Sequence, residues 1–179
     1  MGTYDKNDGS FFVKNGILIL QPLHPNGQGG FKGTPTRFLP INWDDRRYLI
    51  PENQLLNFVN EINQGTEPRH GMFGQFYLRK GDENKTVSGF PHLPARWQEY
   101  LLLKPIQGEV IEVTKKFVVI NVGKKNGLKM GMILTARNSQ SMFTQLKIIS
   151  LEDHTAKAKA LYKKDDVRIG DIVSTKFVD

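Results

Sequence analysis

The chain has 179 residues, with 25 Lys and Arg against 18 Asp and Glu, a net charge of +7, and no cysteine. That length suits one domain or two small ones at about 150 residues per domain. The missing cysteine excludes disulfides and Cys-ligated zinc or iron–sulfur centres. No apolar run approaches the ~20 residues of a membrane-spanning helix.

Met1–Ser10 is polar and lacks the apolar core of a signal peptide. Two placements therefore stand: periplasmic or otherwise exported with the leader removed, and, as the alternative, cytoplasmic. The first predicted element is a hairpin. Ser10–Lys14 and Ile17–Gln21 are β-rich, and Lys14-Asn15-Gly16 joins them. Asn-Gly is the strongest short-range hairpin signal, because both residues tolerate positive φ. Pro22–Pro35 reads as a loop. Inside it, Gly27–Thr34 is glycine-rich but lacks the closing Gly-Lys-Ser/Thr of a phosphate loop, so it reads as a surface loop. Arg37–Trp43 and Arg46–Ile50 are predicted strands around an Asp44-Asp45 turn.

Pro51 suits the first position of a helix. Leu55, Leu56, Phe58, Val59 and Ile62 form one apolar stripe at helical period, and Gly65 supplies the stop. Phe73–Arg79 is a predicted strand, and Leu93-Pro94 opens a short second helix reaching Tyr100–Leu103. Eight of the nine prolines and both tryptophans lie before residue 100. Residues 1–104 carry a net charge of +2 (12 basic, 10 acidic) and residues 105–179 one of +5 (13 basic, 8 acidic). The expected boundary lies near Lys104–Gln107, giving domains 1–104 and 105–179. Trp97 and the apolar run Tyr100–Leu103 are expected to pack into a core where the halves meet.

The second half reads as six strands: Gly108–Val113, Phe117–Val122, Met132–Arg137, Gln145–Leu151, Thr155–Leu161 and Asp171–Phe177. Ala156, Ala158 and Ala160 alternate with Lys157 and Lys159, the pattern of a strand with one solvated face. Six short strands in about 70 residues predict a small closed barrel. The expected fold class is an α+β N-terminal unit followed by an all-β six-stranded barrel.

Candidate chemistry is sparse. His24, His70, His92 and His154 show no metal-binding spacing, and the serines stand in no nucleophile motif. Asp44 and Asp45 are adjacent, so their carboxylates point apart rather than toward one substrate. The expectation is a non-enzyme without metal or cofactor. Trp43-Asp44-Asp45-Arg46-Arg47-Tyr48 has two readings. One is a turn whose Asp pairs with Arg46 or Arg47 and whose Trp43 and Tyr48 pack on the helix. The other is a partner-binding surface using Trp43, Arg46 and Arg47, since Trp and Arg dominate binding hot spots. The lysines of the second half, Lys124, Lys125 and Lys129 among them, suit an anionic or protein partner. Lysine outnumbers arginine there by 11 to 2, which is the composition of a solvated surface more than of a phosphate-reading one.

The most distinctive segment runs from Val118 to Met132, with Gly123-Lys124-Lys125-Asn126-Gly127-Leu128-Lys129-Met130-Gly131 at its centre. Val167-Arg168-Ile169-Gly170-Asp171-Ile172-Val173 repeats a Gly-led turn into a strand. Together they resemble the small β-barrel domain of the flagellar assembly protein T family, over residues 106–177. Similar glycine turns occur in the periplasmic barrels of bacterial rod-shape proteins. The first half, with Arg46–Pro51 leading into a helix, resembles bacterial proteins to which no function attaches. The likeness implies a non-catalytic interaction or assembly module of a bacterial cell envelope that binds another protein. The alternative is a nucleic-acid-binding barrel using the basic second half.

Overall fold

The computed structural model describes residues 9–22, 36–68, 76–137, 143–162 and 167–176. The chain forms two compact units, one of Met1–Phe58 with Arg69–Leu93, the other of Val59–Pro68 with Pro94–Asp179.

The first unit is a five-stranded antiparallel sheet in chain order. Its strands are β1 (Gly9–Lys14), β2 (Ile17–Pro22), β3 (Arg37–Trp43), β4 (Arg46–Pro51) and the two-residue β5 (Tyr77–Leu78). Asn15 and Gly16 close the first hairpin with φ of 52° and 75°, the two positive angles that a tight two-residue hairpin turn requires. Pro51 ends β4 and precedes a 3-10 turn, Glu52–Gln54, which leads into helix α1 (Leu55–Asn63). The proline thus stands just outside the helix rather than at its first position. Leu55 and Phe58 are fully buried. The rings of Tyr48, Phe58 and Phe76 stack edge to face at 5.3 and 5.4 Å, a favoured aromatic geometry. Of the expected strand Phe73–Arg79, residues 73–75 lie outside the described residues, as does the glycine-rich loop 27–34.

The second unit is a closed six-stranded barrel. Its strands are β6 (Gln107–Val113), β7 (Val118–Ile120), β8 (Ile133–Arg137), β9 (Phe143–Leu151), β10 (Ala156–Ala160) and β11 (Ile172–Ser174), in the cyclic order β10-β7-β6-β11-β8-β9. Closure leaves no free edge. All six predicted strands are present, shorter than expected at some ends. Ala156 and Ala158 face the core while Lys157 and Lys159 face solvent, as the alternation requires. The core is aliphatic: Val110, Val118, Ile120, Leu134, Leu146, Ile148 and Val173 are at most 1% exposed. The second helix, α2 (Ala95–Gln98), is a single turn. Tyr100 and Leu102 pack against the barrel core, but Leu103 is 89% exposed, which corrects the expectation that the whole run Tyr100–Leu103 is buried. Asn63 fixes this stretch: its Nδ2 donates to the Tyr100 carbonyl at 2.9 Å, and its Oδ1 accepts from the Leu102 amide at 3.0 Å.

Candidate interaction surfaces

The aromatic and charged cluster of the first unit is built on the β3–β4 turn. Asp44 takes φ of 48°, a conformation that Asp tolerates better than most residues. Trp43 is 8% exposed, and its Nε1 donates to the Ser88 carbonyl at 3.0 Å. Arg46 is 6% exposed, with its guanidinium directed to the Tyr48 hydroxyl at 3.4 Å and the Glu83 carbonyl at 3.3 Å. Trp43 and Arg46 are therefore taken up within this unit, which corrects their assignment to a partner-binding surface. Residues 43, 46 and 48 lie on the face of the sheet that the core covers, because β4 alternates buried and exposed from Arg46 onward. Arg47, one position out of phase, is exposed.

Of the turn aspartates, Asp44 accepts from Ser88, and the carboxylate that gathers Arg79, Lys85 and the Arg47 backbone amide is Asp82. Asp82 is fully buried. Its Oδ1 accepts from Lys85 Nζ at 2.8 Å and from Arg79 at 3.0 Å, and its Oδ2 accepts from the Arg47 backbone N–H at 3.0 Å. The Lys85 ammonium beside it, then the Arg79 side chain and the Arg47 amide, hold its carboxyl at about 2, below the ordinary 3.8, against the opposing effect of burial. Lys85 also donates to the Asp45 carbonyl at 3.1 Å. The sequence signal for this site was the spacing Arg79, Asp82, Lys85, in which each cation stands three residues from the carboxylate.

In the second unit the lysine-rich segment forms a tight turn. Lys124–Asn126 is a 3-10 turn that Gly127 terminates with φ of 90°, and Gly131 takes 80°, a left-handed conformation that glycine adopts without a steric penalty. Lys124 is exposed. Lys125 Nζ lies 3.4 Å from Asp153 Oδ2 and 3.3 Å from His154 Nε2. Lys129 is half-buried; its Nζ pairs with Glu99 at 3.2 Å and sits 5.5 Å from the Tyr100 ring centre. The turn thus brings Lys124 and Lys125 to the surface and commits Lys129 to the stretch before the barrel.

Among the described residues, no group of three or more His, Asp or Glu side chains converges as a metal site. His92 and His154 are exposed; His24 and His70 lie outside the described residues. No described helix is long and apolar enough to cross a membrane.

The surface that the sequence did not flag is β1. All six of its residues are exposed, with Phe11 at 69%, Phe12 at 41% and Val13 at 64%. Consecutive strand residues point to opposite faces, so both faces of β1 present apolar side chains. The signal was Phe11-Phe12-Val13, an apolar run without the alternation of a half-buried strand. Compared with known proteins, the chain matches no protein-family model and no curated protein.

Proposed function

We propose that this chain is a non-enzymatic assembly module of a bacterial cell envelope, and that β1 is where it takes up another protein. One observation carries the reading. β1 is the outermost described strand of its sheet, pairs with β2 alone, and exposes Phe11, Phe12 and Val13. Such an edge offers a row of backbone donors and acceptors with apolar side chains on both faces. An extended segment of a partner adds to that edge as a further strand, held by main-chain bonds and selected by side-chain pockets. The resemblance of residues 106–177 to the flagellar assembly protein T barrel supports the envelope setting.

The test is site-directed photocrosslinking in bacteria, with a photoreactive phenylalanine at position 11. A discrete adduct in the envelope fraction that disappears when Val13→Pro blocks strand pairing is the expected result. No adduct, or recovery of the protein only from cytosol without a partner, overturns the reading.

The second reading, a nucleic-acid-binding barrel, has one specific support. Lys147 and Lys159 are both exposed and stand directly opposite each other on β9 and β10. Like charges in that register are destabilising, and an anionic partner would relieve the repulsion. Lys157, in turn, covers the half-buried Phe117 ring at 5.1 Å, so that aromatic is not presented for base stacking. A salt titration against single- and double-stranded probes decides; absence of binding at low salt removes this reading.

A further inference from the structure

Two Asn-Gly pairs stand in nearly the same local sequence, Lys14-Asn15-Gly16-Ile17 and Lys125-Asn126-Gly127-Leu128, and both pairs are exposed. A third pair, Asn26-Gly27, lies outside the described residues. The fold treats the first two differently. Asn15 and Gly16 are the turn residues between the paired Lys14 and Ile17 of β1 and β2. A two-residue turn joins its flanking residues to each other and leaves its own amides outside the ladder. Accordingly, neither the Gly16 N–H nor the Asn15 carboxamide has a hydrogen-bond partner among the described residues. An added Cβ at Gly16 would meet no atom within 4 Å, so the space around the turn is open.

Asn126 is held on both sides. Its Oδ1 accepts from the Gly123 N–H at 2.9 Å, which fixes the carboxamide. The Gly127 N–H donates to the Lys124 carbonyl at 2.9 Å, which occupies the backbone nitrogen. The difference bears on one reaction. The backbone nitrogen that follows an asparagine attacks the asparagine's side-chain carbon, and does so most readily when it belongs to glycine, because no Cβ stands in the way.

We propose that Asn15 is a site of spontaneous deamidation whose conversion to isoaspartate loosens β1 from β2, and that Asn126 is spared. The Gly16 nitrogen gives its proton to solvent base and attacks Asn15 Cγ. The new N–Cγ bond closes a succinimide ring, the Cγ–Nδ2 bond breaks, and Nδ2 leaves as ammonia. Water then opens the ring. Attack at Cγ breaks the new bond and gives aspartate. Attack at the main-chain carbonyl carbon of residue 15 breaks the original peptide bond and gives isoaspartate, in which the chain runs through Cγ. Nothing is oxidised or reduced, and water is the only co-reactant. Both products carry a carboxylate in place of a neutral amide, but isoaspartate also adds one carbon to the main chain. A tight turn sets the register of its hairpin, so the added carbon disturbs the ladder from the Lys14–Ile17 pair onward. β1 pairs with no other described strand that could hold it. At Asn126 the attack must wait until both contacts open, which slows conversion about tenfold or more. The reaction depends on the turn and not on what β1 binds, so it stands or falls independently of the assembly reading.

The experiment ages the full chain in mildly alkaline buffer, which favours the deprotonated nitrogen, and follows positions 15 and 126 by tandem mass spectrometry of proteolytic fragments. A parallel sample is aged in urea. In the folded chain, acid is expected to accumulate at position 15, with isoaspartate the larger share, and at position 126 about tenfold more slowly. In urea the two positions should convert at similar rates, because their neighbours match. Similar rates in the folded chain, faster conversion at position 126, or a gap that persists undiminished in urea would overturn the proposal. The effect on β1 is read by hydrogen exchange of the isoaspartyl form, purified by chromatography, beside Asn15→Asp, which carries the carboxylate without the added carbon. The β1 amides that face β2 should exchange faster in the isoaspartyl form than in the unaged chain, and Asn15→Asp should match the unaged chain. Unchanged exchange in the isoaspartyl form, or equal quickening in Asn15→Asp, would show that the added carbon does not loosen the hairpin and would overturn that part of the proposal.

Discussion

Asp44 Oδ2 accepts both the backbone N–H of Ser88, at 2.6 Å, and its hydroxyl, at 2.8 Å, across 44 residues of sequence. Trp43 donates to the carbonyl of the same serine. Two adjacent turn residues thereby fix all three polar groups of Ser88 and bring residues 79–88 onto the β3–β4 hairpin. Asp44 has a second task, since its positive φ closes the turn. Asp44→Ala removes the acceptor and disfavours the backbone conformation, and is expected to destabilise the first unit by about 2 kcal/mol. Asp44→Asn keeps one acceptor oxygen and tolerates the conformation, and is expected to lose about half as much. Urea unfolding of the two variants measures this. Equal losses would show that the Ser88 contacts contribute little.

Asp82 makes the same region sensitive to acid. Its carboxyl is held at about 2 in the folded chain, against an ordinary 3.8. A depressed folded-state value means that the ion-paired form stabilises the fold fully above the unfolded value, and that this contribution declines as pH falls toward the folded one. The expected window is therefore from about pH 4 down to about pH 2. The stability difference between the native chain and Asp82→Asn should be constant above that window and shrink within it, as followed by urea midpoints at several pH values. A difference independent of pH across the window would show that Asp82 does not titrate as its partners require.

The barrel was legible because each of its strands carries a local signature. Alternating Ala and Lys define β10, glycine turns lead into β8 and β11, and closure follows from six short strands with no α-helix between them. The interior of the β3–β4 cluster was not legible, because a strand's period says which residues share a face but not which face the core covers. Trp43, Arg46 and Tyr48 share theirs, so once Tyr48 packs on Phe58 the other two are buried with it. Asp82 and Ser88 depend on long-range contacts between segments with no shared periodicity.

Asn60 is another residue whose part emerges only from the fold. It is 3% exposed; its Nδ2 donates to the Gly131 carbonyl at 3.1 Å and its Oδ1 accepts from the Ile133 amide at 3.2 Å. Both backbone groups adjoin the start of β8, more than 70 residues away in sequence. Asn60→Ala leaves a buried N–H and a partly buried C=O without these partners, and is expected to destabilise the second unit by about 2 kcal/mol. Asn60→Asp keeps the acceptor for Ile133 but sets a carboxylate oxygen against the Gly131 carbonyl, and should be no better than alanine. Hydrogen exchange at the Ile133 amide provides a local readout. It should quicken in Asn60→Ala by more than at amides on the opposite side of the barrel; uniform quickening would mean that the contact is not specific.

Gly123 and Gly127 flank the same 3-10 turn, but they are glycines for different reasons. Gly123 has φ of −145°, extended backbone open to any residue, so conformation does not require it. Space does: an added Cβ would stand 2.7 Å from the Thr155 nitrogen and 2.8 Å from the Asp153 oxygen. These are backbone atoms of the facing β9–β10 turn, which also accepts the Lys124 and Lys125 amides through the Glu152 and Asp153 carbonyls at 2.9 Å each. No side chain can rotate aside, so the two turns must separate and those bonds must lengthen. At Gly127 the nearest atom to an added Cβ is the Ile106 Cδ1 at 3.7 Å, an ordinary contact, and the penalty is the positive φ alone. Gly127→Ala is therefore expected to cost about 1 kcal/mol. Gly123→Ala should cost about 1–3 kcal/mol, toward the upper end, as overpacking against unyielding structure does. Chemical denaturation of both variants ranks them, and faster exchange of the Lys124 and Lys125 amides should accompany Gly123→Ala alone. If Gly127→Ala proves the more damaging of the two, close approach of the β9–β10 turn is not what fixes glycine at position 123.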